Sequence, residues 1–329
     1  MADVARVAGV SSQTVSRVIL RPDLVTEPTR LKVQNAIRRL GYIPNAAARS
    51  LAANSSRTVV VIIPALTSSS YAFQVASTMA ALEPHGISTV VGYSDYSRER
   101  EESLVHSLLQ YRPLGFILTG LDHTTRCAEL LRTSGATVIE TWSVDGDPID
   151  MAVGFSNVDA GRDVAKVFLE RGTRRVAFVG GTDARAALRA KGLDMALTEA
   201  GLPPVLRLEY PAPMDASVGI TGLVEMCVNG PRPDAILFSA DFLALAALYE
   251  CQRRGIRVPD DVAVCGFGDH ELSPLSVPGL TTVKLFPEEM GRLSAEILLN
   301  RIRTSAGPTR NDTNRVITLQ HQIVRRGSA

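Results

Sequence analysis

Residues 4–19, with the sequence VARVAGVSSQTVSRVI, decide how the first part of the chain folds. Apolar residues recur at helical spacing on both sides of Gly9, which predicts two helices separated by a break. Glycine tolerates the positive φ of a tight turn, and Ser11 can cap the next helix by accepting a hydrogen bond from its free N–H groups. The stretch therefore predicts a helix-turn-helix whose second helix begins at Ser12.

The outward face of the second helix carries side chains that can read DNA. Gln can pair with adenine and Arg with guanine in the major groove, while Ser can bond to either base or to phosphate. A small-residue helical hairpin with a polar face would show the same pattern, so this stretch alone leaves both interpretations open. The DNA-contacting residues predicted on this helix are Ser12, Gln13, Thr14, Ser16 and Arg17.

The segment after the hairpin favours the DNA-binding interpretation. Residues 27–40 predict a third helix with Thr26 as its N-cap, Pro28 in its first turn and Gly41 at its end. Its apolar stripe comprises Leu31, Val33, Ala36, Ile37 and Leu40. The motifs DVARVAGVSSQTVSRV, LGYIPN and ARSLA, all within residues 3–53, together resemble the headpiece and hinge of the lactose-repressor (LacI/GalR) family of bacterial transcription regulators.

That resemblance implies a short hinge helix at residues 45–53, ordered against the DNA minor groove and the hinge of a partner subunit. Asn45 can cap this helix, and a helix so short is marginal alone in water. By the resemblance, Leu51 is a wedge between the central base pairs that kinks the DNA. A flexible linker that contains alanines is the alternative. The predicted DNA contacts in this segment are Asn45, Ala48, Leu51 and Ala52.

Charge is distributed unevenly along the chain, whose formal net charge is +1. Residues 1–57 contain nine Lys and Arg against three Asp and Glu, a net of +6, which leaves 26 basic and 31 acidic residues, a net of −5, for the remainder. A basic module on a mildly acidic domain is typical of a nucleic-acid-binding protein. The sequence shows no signal peptide, so we expect a cytoplasmic protein and no membrane partner rather than an exported solute-binding protein.

The sequence offers no pattern typical of an enzyme or a metal site. No GxGxxG, GxxxxGK[ST] or GxSxG motif occurs in a strand–turn–helix context, and the five histidines show no metal-ligand spacing. The cysteines form no CxxC or CxxH pair, which predicts free thiols; they are Cys127, Cys227, Cys251 and Cys265. We therefore expect no enzymatic activity, no cofactor and no metal.

From residue 58 onward, strand patterns alternate with helix patterns, which predicts two parallel-sheet subdomains. The predicted strands lie at 59–63, 88–91, 115–118, 137–140, 151–153, 175–179, 205–208, 234–238, 262–265, 316–319 and 322–324. The predicted helices lie near 72–83, 99–110, 124–134, 159–171, 186–200, 216–228, 242–254 and 288–303.

The predicted fold class is α/β, with an all-α helix-turn-helix headpiece and hinge helix before the sheets. The family resemblance implies that the rest is a type I periplasmic-binding-protein-like core of two Rossmann-like subdomains. It also implies a homodimer, three chain crossings between the subdomains and an effector in their cleft. The predicted domains are 1–44 (headpiece), 45–57 (hinge helix and linker) and 58–329 (effector binding and dimerisation), the last divided into 58–156 plus 284–313 and 157–283 plus 314–329.

Ligands of open parallel sheets bind at the carboxyl ends of the strands. Residues 64–71, after the first strand, are rich in hydroxyls, which suits a polyol but is also typical of an ordinary turn. Arg189 lies where the family places an effector-binding Arg, three residues before Gly192, and Arg185 lies one helical turn earlier. Two guanidinium groups in a cleft suit a carboxylate or a phosphate, although a solvated basic helix face gives the same pattern.

Two further loops resemble the family's effector-binding loops but depart from them. Asp241 matches a family Asp that would accept sugar hydroxyls or stabilise its loop, whereas Ala240 replaces an Asn. Gly268 replaces an effector-binding Asp, and His270 either supplies the missing contact or is a structural loop residue. The effector-binding residues predicted in all these loops are Ser70, Tyr71, Arg185, Arg189, Asp241 and His270.

Residues 66–73, 149–157 and 249–267 resemble the gluconate-utilisation repressor branch of the family. A sugar acid as effector agrees with the two arginines and with the missing Asp, and ketogluconate or idonate would agree equally well. The sequence thus predicts a repressor of sugar-acid catabolism genes, which a small sugar acid releases from a pseudo-palindromic double-stranded operator. A neutral sugar or a sugar phosphate is the alternative effector, and a cytoplasmic sugar-binding protein without DNA activity is the distant alternative.

Overall fold

The computed structural model describes residues 1–42, 56–304 and 315–329, and the chain forms two compact units, Met1–Ser56 and Arg57–Ala329. None of the helices in the described ranges combines the length and apolar character that a membrane-spanning segment requires. The predicted hinge contacts lie outside the described residues; they are Asn45, Ala48, Leu51 and Ala52.

Residues 1–42 of the first unit form three helices, with a short 3₁₀ turn between the second and the third: α1 (Ala2–Ala8), α2 (Ser12–Leu20) and α3 (Glu27–Leu40). Gly9 ends α1 with a φ of 65°, in the left-handed region. Ser11 caps α2, because its hydroxyl accepts a hydrogen bond of 3.1 Å from the N–H of Thr14. The helix-turn-helix predicted from residues 4–19 is therefore confirmed.

The three helices enclose a small apolar core that contains Val4, Ala5, Val15, Val18, Val33 and Ala36. Two members of the stripe predicted for α3 lie outside it, since Leu31 is 46% and Leu40 is 43% exposed. The stripe was wrong for these two residues because the core covers only the part of α3 that carries Val33 and Ala36. Gly41 ends α3 in the left-handed conformation, as predicted.

The first sheet of the second unit contains β1 (Thr58–Ile63), β2 (Ser88–Tyr93), β3 (Gly115–Thr119), β4 (Thr137–Thr141), β5 (Met151–Gly154) and β11 (Val316–Thr318). Its strand order is β11-β5-β4-β3-β1-β2, and all neighbouring strands are parallel. Residues 59–63 of β1 are buried, as the continuous apolar run predicts for a parallel strand covered on both faces.

The second sheet contains β6 (Val176–Gly181), β7 (Leu206–Tyr210), β8 (Ala235–Phe238), β9 (Ala263–Phe267), β10 (Thr281–Lys284) and β12 (Gln322–Val324). Its strand order is β12-β10-β9-β8-β6-β7, parallel throughout except that β12 runs antiparallel to β10. The sequence analysis missed β10, a four-residue strand buried between two neighbours.

The helices of the second unit are α4 (Ser69–Leu82), α5 (Arg98–Leu109), α6 (Thr125–Thr133), α7 (Asn157–Glu170), α8 (Ala184–Glu199), α9 (Ala216–Leu223), α10 (Asp241–Arg254) and α11 (Pro287–Thr304). Helix α4 packs on α11, and α7 packs on α8. Two glycines allow the second pair to approach closely. A Cβ at Gly161 would lie 2.1 Å from the carbonyl oxygen of Arg189, and one at Gly192 would lie 2.0 Å from that of Val158.

The chain passes between the two sheets three times, after β5, after β10 and between β11 and β12, as the family resemblance implied. One predicted boundary is wrong. Residues 314–329 were assigned wholly to the second subdomain, but Val316 pairs with Ala152 and Thr318 with Gly154 in the first sheet. Strand β11 forms hydrogen bonds with the edge of β5, whose backbone groups would otherwise be unpaired. Of the last two strands, only β12 belongs to the second sheet.

Candidate functional site

The residues that the sequence predicted on α2 divide by exposure: Ser12, Gln13 and Arg17 are exposed, whereas Thr14 and Ser16 are half buried. Val15 and Val18 anchor the opposite face of α2 in the helical core. The exposed face thus presents a hydroxyl, an amide and a guanidinium group on a rigid helix, which is the chemistry that reads base edges in a major groove.

A second candidate site is a cavity of about 410 Å³ at the carboxyl ends of strands from both sheets. A cavity of this size suits a small molecule. It is lined by all six residues that the sequence predicted for effector binding: Ser70, Tyr71, Arg185, Arg189, Asp241 and His270. The structure therefore brings these residues together, and their roles in binding remain predictions.

Arg185 extends from the first turn of α8 across the cleft. Its Nη1 donates a hydrogen bond of 2.8 Å to the hydroxyl of Tyr71 in α4, and its guanidinium lies 5.8 Å from the centre of the Tyr71 ring. Its Nε lies 3.6 Å from a carboxylate oxygen of Asp183, the N-cap of α8. Arg185 is 8% exposed, so these contacts hold its charge in a mostly buried position.

Arg189 lies one helical turn further along α8 and is also 8% exposed. Its Nε donates to Asn157 Oδ1 at 3.0 Å, its Nη1 donates to the carbonyl oxygen of Ser239 at 2.8 Å, and its guanidinium stacks 3.7 Å from the centre of the Phe267 ring. Burial, together with the charge of Arg185, lowers the pKa of Arg189 to about 10, so it is cationic at neutral pH. Within the described part of the chain, no carboxylate forms an ion pair with it.

An aromatic network supports the first-subdomain side of the cavity. The rings of Tyr71 and Trp142 meet edge to face, with their centres 4.8 Å apart. The indole N–H of Trp142 donates to Gln74 Oε1 at 2.5 Å, and the amide of Gln74 donates to Thr141 Oγ1 at 3.0 Å. These buried bonds fix the Trp142 ring, against which Tyr71 packs. The hydroxyl of Tyr71 accepts the hydrogen bond from Arg185.

Asp241, the first residue of α10, holds the loop after β9 through hydrogen bonds within the protein. Its Oδ1 accepts from Thr282 Oγ1 at 2.6 Å, and its Oδ2 accepts from the backbone N–H of His270 at 2.6 Å and from Ser273 Oγ at 2.7 Å. Burial raises the pKa of this carboxyl group above its usual range. The ring Nδ1 of His270 accepts a hydrogen bond from the N–H of Leu272 at 3.2 Å, which leaves Nε2 as the protonated nitrogen.

Gly268 lies at the position for which the family resemblance implied an aspartate, and its backbone conformation favours glycine. Its φ is 129°, a conformation that residues with side chains rarely adopt. A Cβ at this position would lie 3.9 Å from the Oγ of Ser70, which is half buried at the opposite wall. The backbone of Gly268 therefore faces Ser70 across the cavity without a side chain of its own.

Backbone strain is concentrated beside the cavity. Asp95 and Tyr96, just after β2, have φ values of 55° and 57°, and Trp142, directly after β4, has a φ of 70°. All three line the cavity. Non-glycine residues in this region each cost about 1–3 kcal/mol and cluster at ligand sites, so the strain is independent support for a binding function here.

A larger cavity of about 790 Å³ adjoins the first and shares Pro64, Tyr96, Asp183 and Arg185 with it. The rest of its lining mixes charges of both signs, including Arg98, Lys191, Asp122 and Asp147. Arg189 lines only the smaller cavity. The smaller cavity is therefore the one that contains both buried arginines beside the hydroxyl-rich loop after β1.

The sequence analysis missed three residues that hold the predicted ones in place. Trp142 directly follows β4, Phe267 ends β9 and Asn157 begins α7. Trp142 and Phe267 lie at the carboxyl ends of strands, and the same position relative to a strand was the signal that identified the predicted effector-binding loops. Asn157 also donates from Nδ2 to the carbonyl oxygen of Trp142 at 3.0 Å, which joins the two subdomains at the base of the cleft.

Comparison with known proteins identifies the family of both parts of the chain. Residues 1–45 match the family described as "Bacterial regulatory proteins, lacI family", and residues 165–329 match the "Periplasmic binding protein-like domain". The chain is 37% identical over 299 residues to the HTH-type transcriptional regulator GntR of Pseudomonas aeruginosa, which covers 90% of this chain and 87% of that protein.

Solved structures show the same similarity over nearly the whole length. A LacI-family transcriptional regulator from Silicibacter pomeroyi has a TM-score of 0.89 at 32% identity, covering 99% of this chain and 98% of that one. The lac repressor dimer bound to operator and the anti-inducer ONPF has a TM-score of 0.83 at 28% identity, covering 99% of this chain and 97% of that one.

Proposed function

Since the chain belongs to the LacI family of bacterial transcription regulators, we propose that its effector is a small sugar acid, gluconate or a close relative, which releases the protein from a pseudo-palindromic operator. Repressors of this family bind operator DNA and a small-molecule effector, and they dimerise. The proposal concerns the identity of the effector and the residues that bind it.

The observation that carries this proposal is the buried guanidinium of Arg189 in the smaller cavity, with which no carboxylate forms an ion pair in the described part of the chain. Arg185 and Arg189 are both 8% exposed, and within the described residues Asp183 is the carboxylate that pairs with either, at 3.6 Å from Arg185. An unpaired buried cation is costly. A bound carboxylate would supply the missing negative charge and would accept charge-assisted hydrogen bonds from the guanidinium groups.

The remainder of the cavity suits the polyol part of a sugar acid. The loop after β1 contributes Thr67, Ser68, Ser69 and Ser70, and these hydroxyls can donate to or accept from the hydroxyls of a sugar. The aromatic residues Tyr71, Trp142 and Phe267 supply apolar surface for its C–H groups. The similarity to GntR regulators supports the same class of effector.

The contacts across the cleft suggest how binding reaches the DNA. The 2.8 Å hydrogen bond from Arg185 to Tyr71 joins a helix of the second subdomain to a helix of the first. An anion bound by Arg185 competes with this bond and changes the relative placement of the subdomains. The effector then shifts the population between two arrangements according to its different affinity for them. To change the ratio of the two arrangements from 1:99 to 99:1, the effector must bind one of them about 10⁴-fold more tightly than the other.

Exposed apolar residues on the second subdomain support one face as the contact with a partner subunit. Leu275 and Val277 are each 73% exposed, and Tyr249 of the neighbouring helix α10 is 54% exposed. The side chain of Gln252 donates to the carbonyl oxygen of Val277, which holds this loop against the end of α10. Contiguous exposed apolar surface is typical of protein interfaces, and we propose that this face takes part in the homodimer.

Thermal unfolding of the full chain with a panel of compounds tests the effector class. The panel contains gluconate, ketogluconate, idonate, a sugar-acid phosphate, a neutral-sugar phosphate and glucose. A ligand at about 100 times its Kd adds about 2.7 kcal/mol of stability, which raises Tm by about 5 °C for a domain of this size. We expect a shift with sugar acids alone. A shift with glucose alone, or with phosphates alone, would contradict the proposal.

A further inference from the structure

A buried cluster of side chains lies beside the larger cavity, away from the arginine pair. His123 Nδ1 lies 2.5 Å from Glu101 Oε1, and His123 Nε2 lies 3.1 Å from Glu140 Oε1. Cys127 Sγ lies 3.9 Å from the same Glu101 oxygen. The side chains of His123, Glu101 and Glu140 are 3%, 8% and 1% exposed, and Cys127 is fully buried. The effector proposal uses none of these four residues.

The cluster carries more negative charge than its protein partners balance. Two carboxylates face one imidazole, and across the described ranges no Lys or Arg forms an ion pair with Glu101 or Glu140. A divalent cation bound between these side chains would balance the charge of the carboxylates.

We propose that Glu101, His123 and Cys127 bind a divalent transition-metal ion, with zinc as the best fit. Their ligand atoms, Oε1, Nδ1 and Sγ, all lie within 4.8 Å of one another. Zinc binds carboxylate, imidazole and thiolate at about 2.0–2.3 Å, and three protein ligands leave a fourth position open. Glu101 also lines the larger cavity, so this cavity gives water or a small ligand access to that position.

Glu140 has the position of an outer carboxylate that orients the metal-binding imidazole. It accepts the hydrogen bond from Nε2, which leaves Nδ1 as the ligand atom, and its other oxygen accepts from the N–H of Ile149 at 2.5 Å. Carboxylates in this role fix the tautomer and the ring orientation of metal-binding histidines. The arrangement therefore contains a supporting residue in addition to three possible ligands.

Metal binding requires a small, defined rearrangement. The distance between Nδ1 and Oε1 must lengthen from 2.5 Å to about 3.3 Å, the separation of two ligand atoms around tetrahedral zinc. The metal replaces the proton between Glu101 and His123 and the proton of the Cys127 thiol, so two protons are released and no oxidation occurs.

Cobalt binding to the full chain tests this site. We would remove metals with a chelator, keep the thiols reduced, add Co²⁺ and record the absorption spectrum, then displace the cobalt with Zn²⁺. We expect one Co²⁺ per chain, with a thiolate-to-cobalt charge-transfer band that Zn²⁺ abolishes. Cys127→Ser removes the band, and Glu140→Gln keeps it but weakens affinity about 10- to 100-fold, as expected for an outer carboxylate. Thermal unfolding verifies that each variant is folded.

Cys227→Ser is the matched control, because Cys227 is a half-buried thiol outside the cluster. It should leave the spectrum and the stoichiometry unchanged. The proposal is overturned if Co²⁺ and Zn²⁺ do not bind stoichiometrically to the wild-type chain, or if the band survives Cys127→Ser, or if it is lost in Cys227→Ser. In each of these cases the cluster has only a structural role, in which its ion pairs stabilise the packing of α5 and α6. The result does not depend on the identity of the effector.

Discussion

Replacing Arg189 with methionine removes the buried guanidinium that lacks a carboxylate partner in the described part of the chain. The methionine keeps a long side chain against Phe267, where sulfur–aromatic contacts are favourable. Asn157 Oδ1 and the carbonyl oxygen of Ser239 each lose a donor, at about 1–3 kcal/mol for each group left unsatisfied. Relief of a buried charge offsets part of that cost, so we expect the variant to stay folded, with stability reduced by about 2 kcal/mol.

The effect on effector binding should be much larger. Removing one partner of a buried, hydrogen-bonded charge pair costs about 2–5 kcal/mol. At about 1.4 kcal/mol for each tenfold change in Kd, Arg189→Met should weaken gluconate binding about 30- to 4,000-fold. Arg189→Lys keeps the charge but loses the planar guanidinium group that binds a carboxylate through two hydrogen bonds. Its affinity for gluconate should therefore lie between those of Arg189→Met and the wild type.

Isothermal titration of the full chain with the effector found by the thermal panel measures these differences. The matched control is Arg132→Ala, which removes an exposed positive charge from α6, outside both cavities. We expect this control to bind the effector with wild-type affinity. An Arg189→Met variant that binds within threefold of the wild type would show that Arg189 does not hold the effector, and the charge argument would be wrong.

Three further outcomes follow from the structure. Arg17→Ala should weaken operator binding by roughly 1–3 kcal/mol and relax sequence preference, whereas equal loss on specific and scrambled duplexes would make Arg17 a phosphate contact. Gly192→Ala should lower stability in urea unfolding by about 1–3 kcal/mol, because its Cβ would lie 2.0 Å from a backbone oxygen of α7; unchanged stability would refute the close packing. Val277→Asp should shift the dimer toward monomer in sedimentation, and an unchanged dimer would place the interface elsewhere.

The helical unit was predictable because its information is local. Glycine at the turn, serine at the cap and apolar residues at helical spacing act over a few positions, and the structure has α2 beginning at Ser12 as predicted. Burial in the third helix was less predictable. The stripe alone could not show that the core would leave Leu31 and Leu40 exposed, because that depends on how much of α3 the other helices cover.

The sheets show the same limit. Long apolar runs such as residues 59–63 predicted buried strands correctly. Strand β10 is short, and its sequence Thr-Thr-Val-Lys has little apolar character, so its burial depends on the neighbouring strands β9 and β12. The sheet to which β11 belongs was mispredicted because three residues carry no information about which open edge they will join.

The loops that line the candidate cavity were predictable, because they follow strands, but the contacts between their side chains were not. The rule that ligands bind after parallel strands indicated the loops that contain Arg185 and Asp241. The bond from Arg185 to Tyr71 joins residues 114 positions apart, and no local pattern predicts it. The cluster of Glu101 and His123 was missed for the same reason, since these residues come from segments 22 positions apart.

Release from DNA by the effector is the measurement that tests the central claim most directly. A labelled duplex selected from a random library by the full chain would serve as operator, and fluorescence anisotropy would follow binding as gluconate is added. We predict that gluconate releases the wild-type protein and that Arg189→Met binds the same duplex but remains bound. If gluconate and its relatives leave the wild-type complex intact, or release both proteins at the same concentration, the account of the effector and its site is contradicted.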